Sequence, residues 1–443
     1  MVTPSPASQL GLRRLLSAFV KVESDELPAV LMGFLLFFFV LGSSFAVRPV
    51  RETVASGLGP DRVADLWLYT ALFSIAIVPL FGWLVARIRR SILLPCIYAA
   101  VSAIFVVAAV YLRADESNVA VGSFFYVWIS VLNLMLVSVF WSFLLEMFTS
   151  EQARRLFGFI AAGGTAGALA GPIVTRLAVE SVGNSGIMYV GTVGFLLAIV
   201  CQRTLLAIWT RPRSPAAAAA PVKDQGLGGN PFAGIAIVAR SPFLLGIGLF
   251  VVLLSAANTF LYFEQLRIVE DVFPDRTRRT EVFANIDIAV QSLTIITQLF
   301  LTGRIAAAFG VRALLTIVPL AMVIGFTVLS FAAAFPILAG VFIIRRWGEY
   351  ALARPGREML FSKLDTEAKY KAKNFIDVPV YRAADYVGGQ AKTALDAVGS
   401  GPTGAMVVAA LLATIWTING WLLGRKHDGA PHAGVHPAKA AAE

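Results

Sequence analysis

The sequence predicts an all-α polytopic membrane protein of twelve transmembrane helices arranged as two six-helix halves. Three observations predict it. Of the 443 residues 58% are hydrophobic and 14% charged, against about 25% charged in an ordinary soluble domain. Apolar runs recur at the length of a membrane crossing, about 20 residues. The chain nevertheless carries a formal net charge of +10, and its basic residues gather between alternate runs, as loop-charge asymmetry requires. This composition excludes a disordered chain and argues against a soluble multidomain enzyme.

The first six runs fall at 27–47, 66–86, 92–112, 119–145, 156–179 and 187–209, and the next six at 243–268, 282–301, 311–332, 336–352, 375–395 and 404–423. Spans ten and eleven are the weak ones, because both carry charges. Between the halves, 211–231 reads RPRSPAAAAAPVKDQGLGGNP, a Pro/Ala/Gly-rich linker. A short surface helix is expected at 234–240. The organisation is thus an amino-terminal segment (1–26), a first bundle (27–209), a linker (210–241), a second bundle (242–424) and a tail (425–443). Placing both termini in the cytoplasm puts 23 basic residues in inside segments and 9 outside. Five remain within spans: Arg203, Arg345, Arg346, Arg382 and Lys392. No cleavable signal is expected, since the run after Arg13, Arg14 and Lys21 is too long for a signal core. The expected location is a bacterial inner membrane.

Some chemistry is excluded early. The three histidines, His427, His432 and His436, all lie in the tail, which leaves none for a metal site or general base in the spans. Cys96 and Cys201 sit in separate apolar runs and are expected as free thiols. No Walker phosphate loop is present, which argues against an ATP-driven pump. No cofactor, metal or nucleic-acid partner is expected, and no enzyme activity.

Ionisable residues inside spans are costly and by default mark a pathway. Span one runs into Arg48, Pro49, Val50, Arg51 and Glu52. If the helix continues, Arg48, Arg51 and Glu52 share a face, although Pro49 is expected to kink or break it. The competing reading is interfacial arginines that snorkel. In span four, Tyr126, Ser130 and Asn133 form a polar line, readable as helix-to-helix glue or as a lining, and Glu146 closes the span. Span seven carries Asn258 and Glu264, the latter near the outer end, where a solvated carboxylate is the plain alternative.

Span eight places Asp287, Gln291, Thr294 and Gln298 on one face, which is expected to look into a cavity or at a partner helix. In span ten, Glu349 can pair with Arg345 or Arg346. Span eleven is the richest. Lys373, Asp377, Tyr381 and Asp385 repeat every four residues, and Arg382 can reach Asp385. These side chains are read as a transport path, against a purely structural ion-pair ladder. In span five, Gly163, Gly167 and Gly171 are spaced by four before Pro172, a small-residue stripe for close helix approach.

Several of these segments resemble the non-mitochondrial ATP/ADP translocases, the nucleotide exchange carriers of plastids and intracellular bacteria. The run 364–377 (LDTEAKYKAKNFID) resembles the loop entering their span eleven. Residues 354–359 (RPGREM) resemble their P-x-K-E-M segment, and 48–52 (RPVRE) their R-D-x-K-D segment. Residues 138–143 (SVFWSF) and 153–157 (ARRLF) match in character. The resemblance implies a divergent member with twelve spans, a fold related to the major facilitator superfamily, and antiport of a nucleotide such as ATP or ADP. It places the family's functional cations on Arg51, Lys371 and Lys373. The family's span-seven glutamate falls about one turn from Glu264, and its span-four glutamate has no clear counterpart, Tyr126 or Asn133 standing there instead.

The expected function is therefore a secondary transporter that exchanges an anionic small molecule by alternating access, with the site at the interface of the halves. The expected binding residues are Arg48, Arg51, Asn133, Glu264, Asp287, Gln291, Lys371, Lys373, Asp377, Tyr381, Arg382 and Asp385. Arg51, Lys373 and Arg382 would bind phosphates, and unpaired cations in the empty cavity would favour exchange over net flux. The rivals are a proton- or ion-coupled permease using Asp377 and Asp385, and a non-transporting scaffold or sensor.

Overall fold

In a computed structural model the chain is helical wherever its apolar runs lie, and no strand occurs among the described residues. The structure describes residues 26–115, 117–209, 233–363, 372–373 and 375–429. The linker 211–231 and most of the run 364–377 lie outside them. In order come α1 (Leu27–Leu58), α2 (Pro60–Arg87), α3 (Arg90–Ala114), α4 (Val119–Met147) and α5 (Ser150–Trp209). They are followed by the short α6 (Ala233–Arg240), α7 (Pro242–Val272), α8 (Arg276–Phe300), α9 (Thr302–Phe331) and α10 (Phe335–Gly348). A π-turn (Glu349–Ala353), α11 (Arg354–Leu360), a second π-turn (Ile376–Val380), α12 (Tyr381–Ala397) and α13 (Gly401–Asp428) complete the chain.

Eight helices among the described residues are long and apolar enough to cross a membrane. One of them, 155–209, is more than twice the length of a crossing, and Gly183 in its middle turns back at φ +69°, so it holds spans five and six. Spans two, ten and eleven are helical as α2, α10 and α12, the last two interrupted by the π-turns. This is an integral multi-pass membrane protein.

Of the two outcomes expected at Pro49, a kink or a break, the break does not occur: α1 continues through it to Leu58. Proline removes one backbone hydrogen bond, but in an apolar surrounding fraying the helix would expose several more. The helix stops at Gly59, φ +81°, whose N–H reaches Ser56 O.

The helices form two compact units. The first comprises Met1–Gln225 with Phe273–Ile288, and the second Gly226–Val272 with Ala289–Glu443. In the first unit α1 packs along α5. A Cβ on Gly163, Gly167 or Gly171 would lie 2.3, 2.2 or 2.5 Å from backbone oxygens of α1, so only glycine permits this approach. Phe37 of α1 stacks on Phe140 of α4 at 4.1 Å. The buried Glu26 carboxylate ties the start of α1 to the start of α5 by accepting from Gln152 Nε2 (2.8 Å) and Arg155 (3.0 Å). Ahead of α4, the Ser117 hydroxyl and backbone N–H hold the Asp115 carboxyl below the usual carboxylate range. In the second unit α13 packs on α9, with Gly420 against Leu315 O and Gly424 against Arg312 Cα. Phe250 meets Trp416 edge-on at 5.5 Å.

Candidate functional site

In the first unit the continuous α1 carries Arg48, Arg51 and Glu52 on one face. Arg51 is half-buried, with one guanidinium nitrogen bonded to Glu52 and another donating to Ser130 Oγ at 3.3 Å. Its guanidinium lies over the Tyr126 ring, 5.4 Å from the centroid. Trp67 Nε1 donates to the Tyr126 hydroxyl at 2.8 Å, which fixes that ring. Arg48 lies 3.9 Å from Glu52 and 4.0 Å from Asp287 of α8, and it covers the Phe45 ring. Three expected binding residues of this unit, Arg48, Arg51 and Asp287, thus come together around Glu52 and Ser130, with the Tyr126 ring beside them. The side chain of Asn133 lies outside the described part.

A buried polar chain, missed by sequence reasoning, adjoins this cluster along the first turns of α8. Thr53 donates to Thr280, and Thr280 in turn donates to Asn184 Oδ1, each at 2.7 Å. Arg279 Nε donates to Phe273 O at 2.6 Å and its NH1 to Ser56 Oγ at 3.3 Å. Buried Glu281 accepts from Arg176 at 3.3 Å and also from Arg278. The only sequence signal is that small hydroxyls and one amide occupy positions expected as span ends or loops.

In the second unit α12 carries Tyr381, Arg382 and Asp385. Asp385 is buried, accepts from Ser255 Oγ of α7 at 2.5 Å, and lies 3.6 Å from Arg382. Arg345 pairs with Glu349 at 2.8 Å, one of the two pairings the spacing allows. The alternative reading, a structural ion-pair ladder along span eleven, is not seen among the described contacts. Asp377 pairs with Arg357 at 3.1 Å, and Lys373 with Glu358 at 2.6 Å. The π-turn at Ile376–Val380 takes more residues per turn than an α-helix, so a four-residue repeat no longer stacks across it. Lys371 lies outside the described residues.

Glu264 is buried rather than solvated and is paired with Arg267 one turn on. Gln291 and Thr294 of α8 are buried, as expected of the polar face. Gln298, at its end, is exposed and donates to Tyr350 O at 3.0 Å. That carbonyl belongs to the first π-turn, and Thr302 Oγ1 similarly caps Ala351 O at 2.8 Å. Side chains from α8 and α9 therefore bond two carbonyls of the turn.

One expectation about electrostatics changes. Arg48, Arg51, Arg345, Arg357, Lys373 and Arg382 each lie within 4.0 Å of a carboxylate. A half-buried cation without a counter-charge would cost several kcal/mol, on the order of 3–5 when one partner of a buried pair is lost. These cations are therefore held in ion pairs and do not form a bare positive cavity.

Comparison with known proteins bears on the fold. No family model matches the sequence, and no curated protein matches it. Solved structures do match in shape. A mutant of the nucleoside transporter NupG superposes with a TM-score of 0.62 at 13% identity, over 90% of this chain and 100% of that one. A bacterial homologue of the iron transporter ferroportin, in an inward-facing state, gives 0.60 at 12%, over 88% and 99%. The POT family transporter PepTSo gives 0.59 at 13%, over 93% and 100%. The chain has a major-facilitator-like fold, the fold of secondary membrane transporters. At these identities the likeness carries the fold alone.

Proposed function

We propose that this protein is a secondary transporter that exchanges phosphate-bearing anions, nucleotides foremost, by alternating access. The observation that carries the reading is the Arg51 site, a guanidinium held by a hydroxyl, a carboxylate and an aromatic face inside a membrane bundle. Guanidinium pairs bidentately with phosphate oxygens, and those charge-assisted bonds are among the strongest available. Glu52 keeps the empty site neutral, and a phosphate replaces it on Arg51. Tyr126 offers its ring to the organic part of the solute. The resemblance of 48–52 and 364–377 to the ATP/ADP translocases supports a nucleotide, as does the nucleoside transporter among the structures similar in shape. In this reading Arg382 and Lys373 are the second unit's phosphate ligands, and Gln291 and Tyr381 are lining residues.

Counterflow in proteoliposomes tests it. Uptake of labelled nucleotide that depends on internal nucleotide is the expected result. Uptake equal with and without internal substrate refutes exchange. A nucleotide panel read as thermal stabilisation tests the ligand class, since binding to the folded state raises apparent stability by mass action. No shift at millimolar concentrations refutes a nucleotide substrate.

A second reading rests on Asp385, a buried carboxylate between a hydroxyl and an arginine, as in a proton-coupled permease. Collapse of uptake by an uncoupler would select it.

A further inference from the structure

We propose that a groove on the first unit is a phospholipid site, with an acyl chain between α2 and α4 and a zwitterionic head group at the amino-terminal rim of α2. The groove encloses about 430 Å³ and is walled by Tyr69, Leu72 and Phe73 of α2 and Phe124, Val127 and Trp128 of α4. Its shape is held by aromatic contacts. Trp128 lies 5.4 Å from Phe73 and is stacked 6.0 Å from Phe124. Tyr69, Leu72 and Phe124 are 60%, 56% and 58% exposed, so the groove is uncovered among the described residues.

The medium around this face is hydrocarbon, because α4 is among the apolar crossing helices. Water does not fill the groove, since an ordered water needs two or more polar partners and the walls are almost wholly apolar. Left empty, the walls forfeit dispersion contacts. A flexible apolar chain fits that space, and the bilayer supplies one.

The rim identifies the head group. Asp61, Arg62 and Asp65 are exposed in the first turns of α2. Arg62 is seven residues before Tyr69, on the same helical face and about 10 Å along the axis. That is within reach of a phosphate whose acyl chain lies beside Tyr69. Arg62 suits the phosphate. The two flanking carboxylates disfavour a net negative head group and suit an ammonium beside the phosphate. The occupant is therefore an amine-bearing phospholipid. This inference does not depend on the transported solute.

Native mass spectrometry of the protein purified in mild detergent tests it, together with thermal stabilisation of delipidated protein. Retention of one phospholipid per chain is expected, with Ala76→Phe, a change at a lining residue that fills the groove, losing it. Phosphatidylethanolamine is expected to stabilise more than phosphatidylglycerol or a free fatty acid, and Arg62→Ala to erase that preference. Unchanged lipid retention in Ala76→Phe overturns the proposal. So does equal or absent stabilisation by the three lipids, or a second copy of the chain occupying this face as a dimer. The lipid series on the native protein keeps the test decisive if Ala76→Phe fails to fold.

Discussion

Replacing Arg51 separates the binding role from a structural one. The Arg51 guanidinium bonds Ser130 and Glu52 and covers Tyr126. In Arg51→Ala, Glu52 keeps a counter-charge, because Arg48 lies 3.9 Å away. The stability loss is therefore expected to stay near 1–2 kcal/mol, below the roughly 3–5 of a buried ion pair left broken. Substrate binding loses more. One charge-assisted bond to phosphate contributes about 1.5–3 kcal/mol. At 1.4 kcal/mol per factor of ten, that is a rise in KM of about 10- to 150-fold. Arg51→Lys keeps the charge without the planar fork, and is expected to fall between the two. The assay is concentration-dependent nucleotide uptake in proteoliposomes, with thermal unfolding of each variant alongside. An Arg51→Ala protein that folds and transports with unchanged KM would refute the assignment.

Other expectations follow from packing and charge. Gly167→Ala pushes a Cβ to 2.2 Å from Phe38 O, and overpacking of this kind costs about 1–3 kcal/mol or more. Gly158→Ala, with nothing within 4 Å, is expected to be neutral or stabilising by up to about 1 kcal/mol. Thermal unfolding of the pair decides whether the glycine stripe sets helix approach. The Asp428 carboxylate accepts from the N–H groups of Val311 (3.0 Å) and Arg312 (3.1 Å), where α9 restarts after Gly310. Asp428→Ala is expected to lose about 0.5–2 kcal/mol, as for other helix caps, read as a lower unfolding temperature. Arg267→Ala strands the buried Glu264, whereas Glu264→Gln removes the charge itself. The first is expected to lower the unfolding temperature and the second to leave it nearly unchanged, because removing both the charge and its desolvation cost is often neutral.

Much of the architecture was legible in the chain because a bilayer leaves few choices. Backbone polar groups in hydrocarbon must bond within their own segment, so long apolar runs become helices. The turn at Gly183, the short helix at Ala233–Arg240 and the small-residue face of α5 follow from the same local rules. The grouping of Arg48, Arg51 and Glu52 was readable from spacing, given a helix that survives Pro49. The pairing of Arg382 with Asp385 was readable too, as was that of Glu349 with Arg345 or Arg346, since residues three or four apart meet on any α-helix.

Other features depended on helix packing that no local pattern encodes. Ser255 as the partner of Asp385, Ser130 and Tyr126 as the seat of Arg51, and the chain from Thr53 through Thr280 to Asn184 each join residues at least 75 positions apart. The π-turns at Glu349–Ala353 and Ile376–Val380 re-phase the charges that a regular helix would have aligned. By itself the sequence determined an all-helical membrane chain rich in intramembrane charge, because apolar length and helical period are local quantities. Only the tertiary structure decided the pairings between elements, such as Arg48 with Asp287 and Arg357 with Asp377, because they depend on which faces are brought within 4 Å.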